Sequence, residues 1–127
     1  MSQPIETFRL DALPELLPFS SAVRIGDTVH VSGQIGHLPG ELKLVPGGFE
    51  AEARQALSYM KQALIAAGAS LDRVVKCTVY FADMADFRAF NAIYAEFFGA
   101  HQPARSGVAV AGLALGARIE IDCLAII

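Results

Sequence analysis

Arg118-Ile119-Glu120-Ile121-Asp122-Cys123-Leu124-Ala125-Ile126 alternates in character residue by residue. Successive side chains of a β-strand point to opposite faces. Ile119, Ile121, Cys123 and Ala125 therefore share one apolar face. The other face carries Arg118, Glu120, Asp122, Leu124 and Ile126, half polar and half apolar. The first face suits a sheet covered by helices. The second suits a subunit interface with charged clefts at its rim better than open solvent.

The elements upstream supply those helices. Ser21-Ala22-Val23-Arg24-Ile25 and Thr28-Val29-His30-Val31-Ser32 flank Gly26-Asp27 and predict a β-hairpin with a two-residue turn. Ser32-Gly33-Gln34-Ile35-Gly36 follows, with glycines where backbone can approach a neighbour closely. A loop bracketed by Pro39-Gly40 and Pro46-Gly47-Gly48 holds a short candidate strand at residues 42–45. Ala53, Ala56, Leu57, Met60, Leu64 and Ala67 recur at helical spacing and predict a helix over residues 49–67, ended by Gly68. Residues 74–81 are β-branched and aromatic, hence a strand. Asp83 is placed to cap a second helix carrying Phe87, Phe90, Tyr94, Phe97 and Phe98, closed by Gly99 and Pro103. Its aromatic stripe reads as core packing rather than a cofactor box. Strands at residues 105–110 and 118–126 finish the chain, and a further short strand is placed around residues 7–10. The expectation is one α/β (α+β) domain over residues 1–127, a mixed sheet with two helices on one face.

Composition narrows the function. Hydrophobic residues make up 54% of the 127 and charged ones only 18%, a balance that favours an obligate homo-oligomer. Ten basic against thirteen acidic residues leave a net charge of −3 with no basic run, so no nucleic-acid partner is expected. Cys77 and Cys123 sit in apolar strand patterns and read as buried free thiols. Met1-Ser2-Gln3-Pro4-Ile5-Glu6 has the character of neither a secretion signal nor a transit peptide. No apolar run reaches membrane-spanning length, so no membrane partner and a soluble, cytoplasmic protein are expected. His30, His37 and His101 are dispersed without ligand-like neighbours, and no metal site is expected.

Two charges could carry chemistry. Arg105 opens an apolar strand after Pro103-Ala104. It either reaches water along its stem or clamps a carboxylate through two parallel hydrogen bonds. Glu120 lies mid-strand between isoleucines, where glutamate is depleted and rarely buried without a partner. It either makes a structural salt bridge, with Arg118 or Arg24, or positions and deprotonates a water. The residues alone leave both choices open.

Several blocks occur in order: Pro18-Phe19-Ser20-Ser21-Ala22-Val23, Val31-Ser32-Gly33-Gln34-Ile35-Gly36, the run from Gly48-Phe49-Glu50 to Gln55-Ala56-Leu57, Asp83-Met84-Ala85-Asp86-Phe87, Asn91-Ala92-Ile93-Tyr94-Ala95-Glu96-Phe97-Phe98 and Pro103-Ala104-Arg105-Ser106. With Ile119-Glu120-Ile121 they resemble the RidA family, also called YjgF/YER057c/UK114, over residues 18–126. The resemblance implies a chorismate-mutase-like fold assembled as a homotrimeric barrel with clefts between subunits. It implies hydrolysis of reactive 2-imino and 2-enamino acids, 2-aminoacrylate among them, to 2-keto acids and ammonia, without metal or organic cofactor. On it, Arg105 matches the arginine that binds the substrate carboxylate and Glu120 the glutamate associated with the attacking water. Gly33 matches the glycine whose backbone lines the cleft; Phe19, Phe87 and Gly107 complete the expected substrate-binding set.

Three positions depart from the family pattern. Phe19 stands where the deaminating branch has tyrosine, so the ring is kept and the hydroxyl lost. Gly107 stands where cysteine is frequent, and Leu113-Ala114 where Leu-Pro is usual, a turn change expected to have little functional effect. The first two together motivate one alternative, a non-catalytic ligand-binding or protein-protective module; the smaller residue at Gly107 motivates another, a specialised deaminase of a bulkier catabolic enamine. Chorismate mutase chemistry ranks lower, because the spacing does not gather Arg24, Arg88 and Arg118 around a dianion.

Overall fold

The computed structural model describes residues 3–127; the first two residues of the N-terminal stretch read above for targeting signals lie outside it. The strands are β1 (Ile5–Phe8), β2 (Ala22–Ile25) and β3 (Thr28–Gln34), followed after helix α1 (Phe49–Ala66) by β4 (Val74–Phe81). Helix α2 (Phe87–Phe98) then leads to β5 (Ala104–Ala109) and β6 (Ile119–Ile126). They form one six-stranded sheet in the order β1-β2-β3-β6-β4-β5. The β4–β5 pair is parallel and the remaining pairs are antiparallel, so the sheet is mixed as expected.

The alternation of β6 decides which side is covered. Ile119, Ile121, Cys123 and Ala125 are buried beneath the helices with Val29 and Val31 of β3 and Cys77, Val79 and Phe81 of β4. Ala53, Ala56, Leu57, Met60 and Leu64 of α1 and Phe90 of α2 close this core from above. Each of these side chains leaves water for close-packed apolar contact, the main favourable term in folding. Cys77 and Cys123 are register partners on β4 and β6, both buried and free. The opposite face, with Thr78, Tyr80, Glu120, Asp122 and Leu124, is covered by no helix among the described residues, and these side chains are only half-buried.

Helix α1 ends as the sequence predicts. Gly68 takes φ 90°, a left-handed conformation that a side chain would resist, while Ala69 N–H closes back on Leu64 O at 2.8 Å. Three expectations need correction. The N-terminal strand is Ile5–Phe8 rather than residues 7–10, because Phe8 pairs with Ala22 and Arg9 turns away to bind the following loop. Residues 42–45 form no strand; one isolated bridge joins His37 and Leu44. Asp83 caps a 3₁₀ turn, Met84–Asp86, by accepting Ala85 N–H at 2.9 Å, and α2 proper begins only at Phe87. Asp86 turns inward there to bind Arg118, which tightens the chain ahead of the helix. Among the described residues no helix is long and apolar enough to cross a membrane.

Candidate active site

Glu120 sits opposite Tyr80 on the helix-free face of the sheet and takes part in no ion pair among the described residues. Both arginines that could have held it are engaged elsewhere. Arg118 donates from Nη2 and Nε to Asp86 Oδ1 and Oδ2 at 2.7 and 3.2 Å. Arg24 donates to the carbonyls of Gly26 and Ala67 at 3.2 and 3.3 Å. The structural salt bridge considered for Glu120 is therefore absent from the described residues. Burial first, and the neighbouring Asp122 charge second, raise the Glu120 pKa above its ordinary value. Asp122 is itself fixed by the Tyr80 hydroxyl, which donates to Oδ2 at 2.9 Å.

Gly33 lies beneath that carboxylate. The pairing of β3 with β6 shifts register between Val31 and Gln34, a bulge that pushes the Gly33 backbone toward Glu120. A Cβ at Gly33 would collide with the Glu120 carboxylate where it now lies, so any larger residue would displace that carboxylate from the bulge. The loop carrying Phe19 is tied to the same bulge: Ser32 Oγ donates to Ser20 O at 2.6 Å and Ser32 N–H to Ser21 O at 3.0 Å. Arg9 holds the loop from the other side, donating to Leu17 O, Phe19 O and Pro14 O at 2.9, 2.7 and 2.8 Å. Phe19, Gly33 and Glu120 thus border one cavity of about 530 Å³, walled mainly by apolar side chains, with Ser32, His37 and Glu41 also on its lining. His37 stacks on Tyr59 with ring centroids 4.6 Å apart, and its Nδ1 donates to Leu38 O at 2.8 Å.

Arg105 is elsewhere. On β5 it pairs with Cys77 of β4, whose side chain is buried beneath the helices, so Arg105 projects to the helix side. There its guanidinium carbon lies 4.7, 5.6 and 5.7 Å from the ring centroids of Tyr94, Phe87 and Phe90 of α2. Arg105 Nη2 donates to Asn91 Oδ1 at 2.5 Å. The guanidinium is stacked and oriented but makes no ion pair among the described residues. Gly107, two residues along the same strand, shares its face; a Cβ there would sit 3.4 Å from Phe81 and 3.9 Å from Phe87, ordinary contact. Phe87 remains 39% exposed beside it.

The six expected residues therefore divide into two groups of three. Phe19, Gly33 and Glu120 lie at the cavity on one face; Arg105, Gly107 and Phe87 lie on the other, and the sheet separates them. Sequence reading missed Asn91, Tyr94 and Arg9. Asn91 had a signal, since it interrupts the aromatic stripe at the spacing of Phe87 and Tyr94. Arg9 had none, because its partners are backbone carbonyls of an irregular loop. Among the described residues no three His, Cys, Asp or Glu side chains gather as metal ligands would.

The architecture is thus a mixed six-stranded sheet under two helices, with Arg105 and Glu120 on opposite faces and neither in an ion pair among the described residues. The sequence profile of the family described as Endoribonuclease L-PSP matches residues 10–127, and the chain belongs to this family, the RidA (YjgF/YER057c/UK114) family. It is 47% identical over 109 residues to a Homo sapiens protein named 2-iminobutanoate/2-iminopropanoate deaminase, covering 86% of this chain and 80% of the relative. Its fold is similar to that of yeast Mmf1, with a TM-score of 0.91, 36% identity and coverage of 97% and 98% of the two chains. It is also similar to E. coli TdcF with bound serine, with a TM-score of 0.87, 33% identity and coverage of 96% and 98%.

Proposed function

We propose that this protein hydrolyses 2-imino acids and their enamine tautomers to 2-keto acids and ammonia, in clefts formed between subunits of a homotrimer. The observation that carries the reading is the pair of half-sites: Arg105 and Glu120 each lack an ionic partner among the described residues, and each faces away from the other. A neighbouring copy that brings its Arg105 edge against the Glu120 cavity would complete both. The names of the mammalian relatives support the reaction. The half-polar face of β6 supports an interface between copies.

The chemistry follows from what each side chain offers. Arg105 uses one Nη2 hydrogen on Asn91, and the rest of its planar fork takes the substrate carboxylate bidentately. Gripping the carboxylate sets the C=N carbon at a fixed distance from Glu120, which exchanges a bimolecular encounter for a positioned one. Glu120 removes a proton from water as the water oxygen bonds to that carbon, and the C=N π pair moves to nitrogen. The carboxyl proton then passes to nitrogen to give the carbinolamine. Glu120 next takes the carbinolamine hydroxyl proton and delivers it to nitrogen as the C–N bond breaks with its electron pair on nitrogen, so that ammonia departs and the keto acid remains. Water is consumed, one ammonia is released and no electron donor or acceptor is required. The absence of a basic run, with a net charge of −3, favours a small anionic substrate over RNA. The buried free thiols fit a cytoplasmic setting.

The direct test generates 2-iminopropanoate in situ with an amino-acid oxidase and follows its disappearance with and without the protein. Acceleration in proportion to protein supports the reading. Saturable binding of 2-keto acids without any acceleration would instead favour the binding-module alternative.

The raised pKa of Glu120 has a readable sign. A base must be ionised, so kcat/KM falls as pH drops through the Glu120 pKa, and that limb lies above the ordinary glutamate value of about 4.3. Asp122→Asn removes the like charge that contributes to the shift, so the limb should move to lower pH. A limb that stays in place in the pH profile would remove Glu120 from the role of base.

A further inference from the structure

Leu115 stands out among the described residues. It has φ 60° and ψ 15°, and no other described non-glycine residue has positive φ. That left-handed conformation crowds a Cβ against the backbone, and a turn of this kind ordinarily takes glycine or asparagine. The residue there is instead a branched apolar one, 44% exposed, in the 3₁₀ turn Ala114–Gly116 just before β6. Backbone strain and an uncovered apolar side chain are both unfavourable, and strained residues concentrate at functional sites. The side chain lines the cavity that holds Glu120.

The rest of that cavity is of the same character. Leu17, Phe19, Ile35 and Leu42 share its wall with Leu115, while Glu120 and Ser32 supply polar groups near the bulge. The cavity, about 530 Å³ in a single copy, is open on the side where a neighbouring copy would complete the cleft, so its apolar lining rather than its volume bears on the substrate. The other half-site agrees independently. At Gly107 no side chain fills the space beside Arg105, and the Phe87 ring there is left 39% exposed.

We propose that Leu115 is a specificity-determining residue of the cleft, and that the preferred substrates are 2-imino acids with large apolar side chains, branched aliphatic or aromatic. This rests on the imine-hydrolase reading and names its substrate class. The carboxylate is held at Arg105, the reacting carbon lies by Glu120, and the side chain runs along the apolar wall toward Leu115. Loss of contact with even a methylene or two lowers kcat/KM by an order of magnitude or more, so wall residues decide among homologous imines.

The test compares the imines of alanine, leucine and phenylalanine, each generated in situ, for the wild-type protein and Leu115→Gly. Glycine accepts the left-handed backbone without strain, so this variant is expected to melt no lower than the wild type. The wild-type protein should favour the leucine- or phenylalanine-derived imine over 2-iminopropanoate by about tenfold in kcat/KM, and Leu115→Gly should reduce that ratio about tenfold. Equal loss on all three imines, with the ratio unmoved, would overturn the assignment. So would dissociation of the assembly in Leu115→Gly, which would make Leu115 a subunit contact. A wild-type preference for 2-iminopropanoate overturns the specificity while leaving the hydrolysis standing. No acceleration of any imine overturns both.

Discussion

Arg105→Lys should lower kcat/KM for imine hydrolysis by about a hundredfold or more, while the melting temperature changes little. The charge is retained, so a loss of that size isolates geometry. In the wild-type protein the guanidinium is stacked against three rings of α2 and hydrogen-bonded to Asn91, which fixes the plane of its fork before any substrate arrives. Lysine offers a point charge on a flexible stem with no plane to stack and no parallel pair of donors. A carboxylate held by one mobile contact leaves the C=N carbon free to swing. A displacement of about 1 Å at the reacting atoms costs about a hundredfold in rate. Folding should be spared because Arg105 lies near the start of an edge strand and makes no ion pair among the described residues. Steady-state rates on 2-iminopropanoate and on the bulkier imines measure the effect; near wild-type ammonia release would remove Arg105 from the role of clamp.

Much of the fold was legible because the periodicities are clean. The alternation of residues 118–126 placed Ile119, Ile121, Cys123 and Ala125 beneath the helices, and they are buried there. The stripe from Ala53 to Leu64 with Gly68 behind it located α1 to within a residue at its end. What escaped was set by tertiary contacts that no local pattern encodes. Asp83 looked like the cap of α2, but the pull of Arg118 on Asp86 inserts a 3₁₀ turn between them. Residues 42–45 have strand-forming character yet find only a single bridging partner.

The candidate site was legible as two residues and not as a place. Arg105 and Glu120 were conspicuous because a charge is costly in an apolar strand, but spacing along a chain does not say which face each occupies. That depends on the register of β5 and β6 against β4, and the register sends them to opposite sides. The turn at Leu113-Ala114 looked like a mere connection. Instead Ala114 and Leu115 stand on the cavity wall, held there by a backbone conformation that the sequence did not announce.

The most direct test of a cleft shared between subunits is complementation. Arg105→Lys keeps the Glu120 half-site and Glu120→Gln keeps the Arg105 half-site, so each homotrimer lacks one member of every cleft. Trimers assembled at random from equal amounts of the two variants contain intact clefts where an unaltered Arg105 edge meets an unaltered Glu120 cavity, about a quarter of all clefts. Co-refolded mixtures, with mixed assemblies verified by native mass spectrometry, should therefore recover about a quarter of wild-type activity from two nearly inactive parents. Activity no greater than the average of the two parents, in assemblies shown to be mixed, would contradict a cleft built from two copies of this chain.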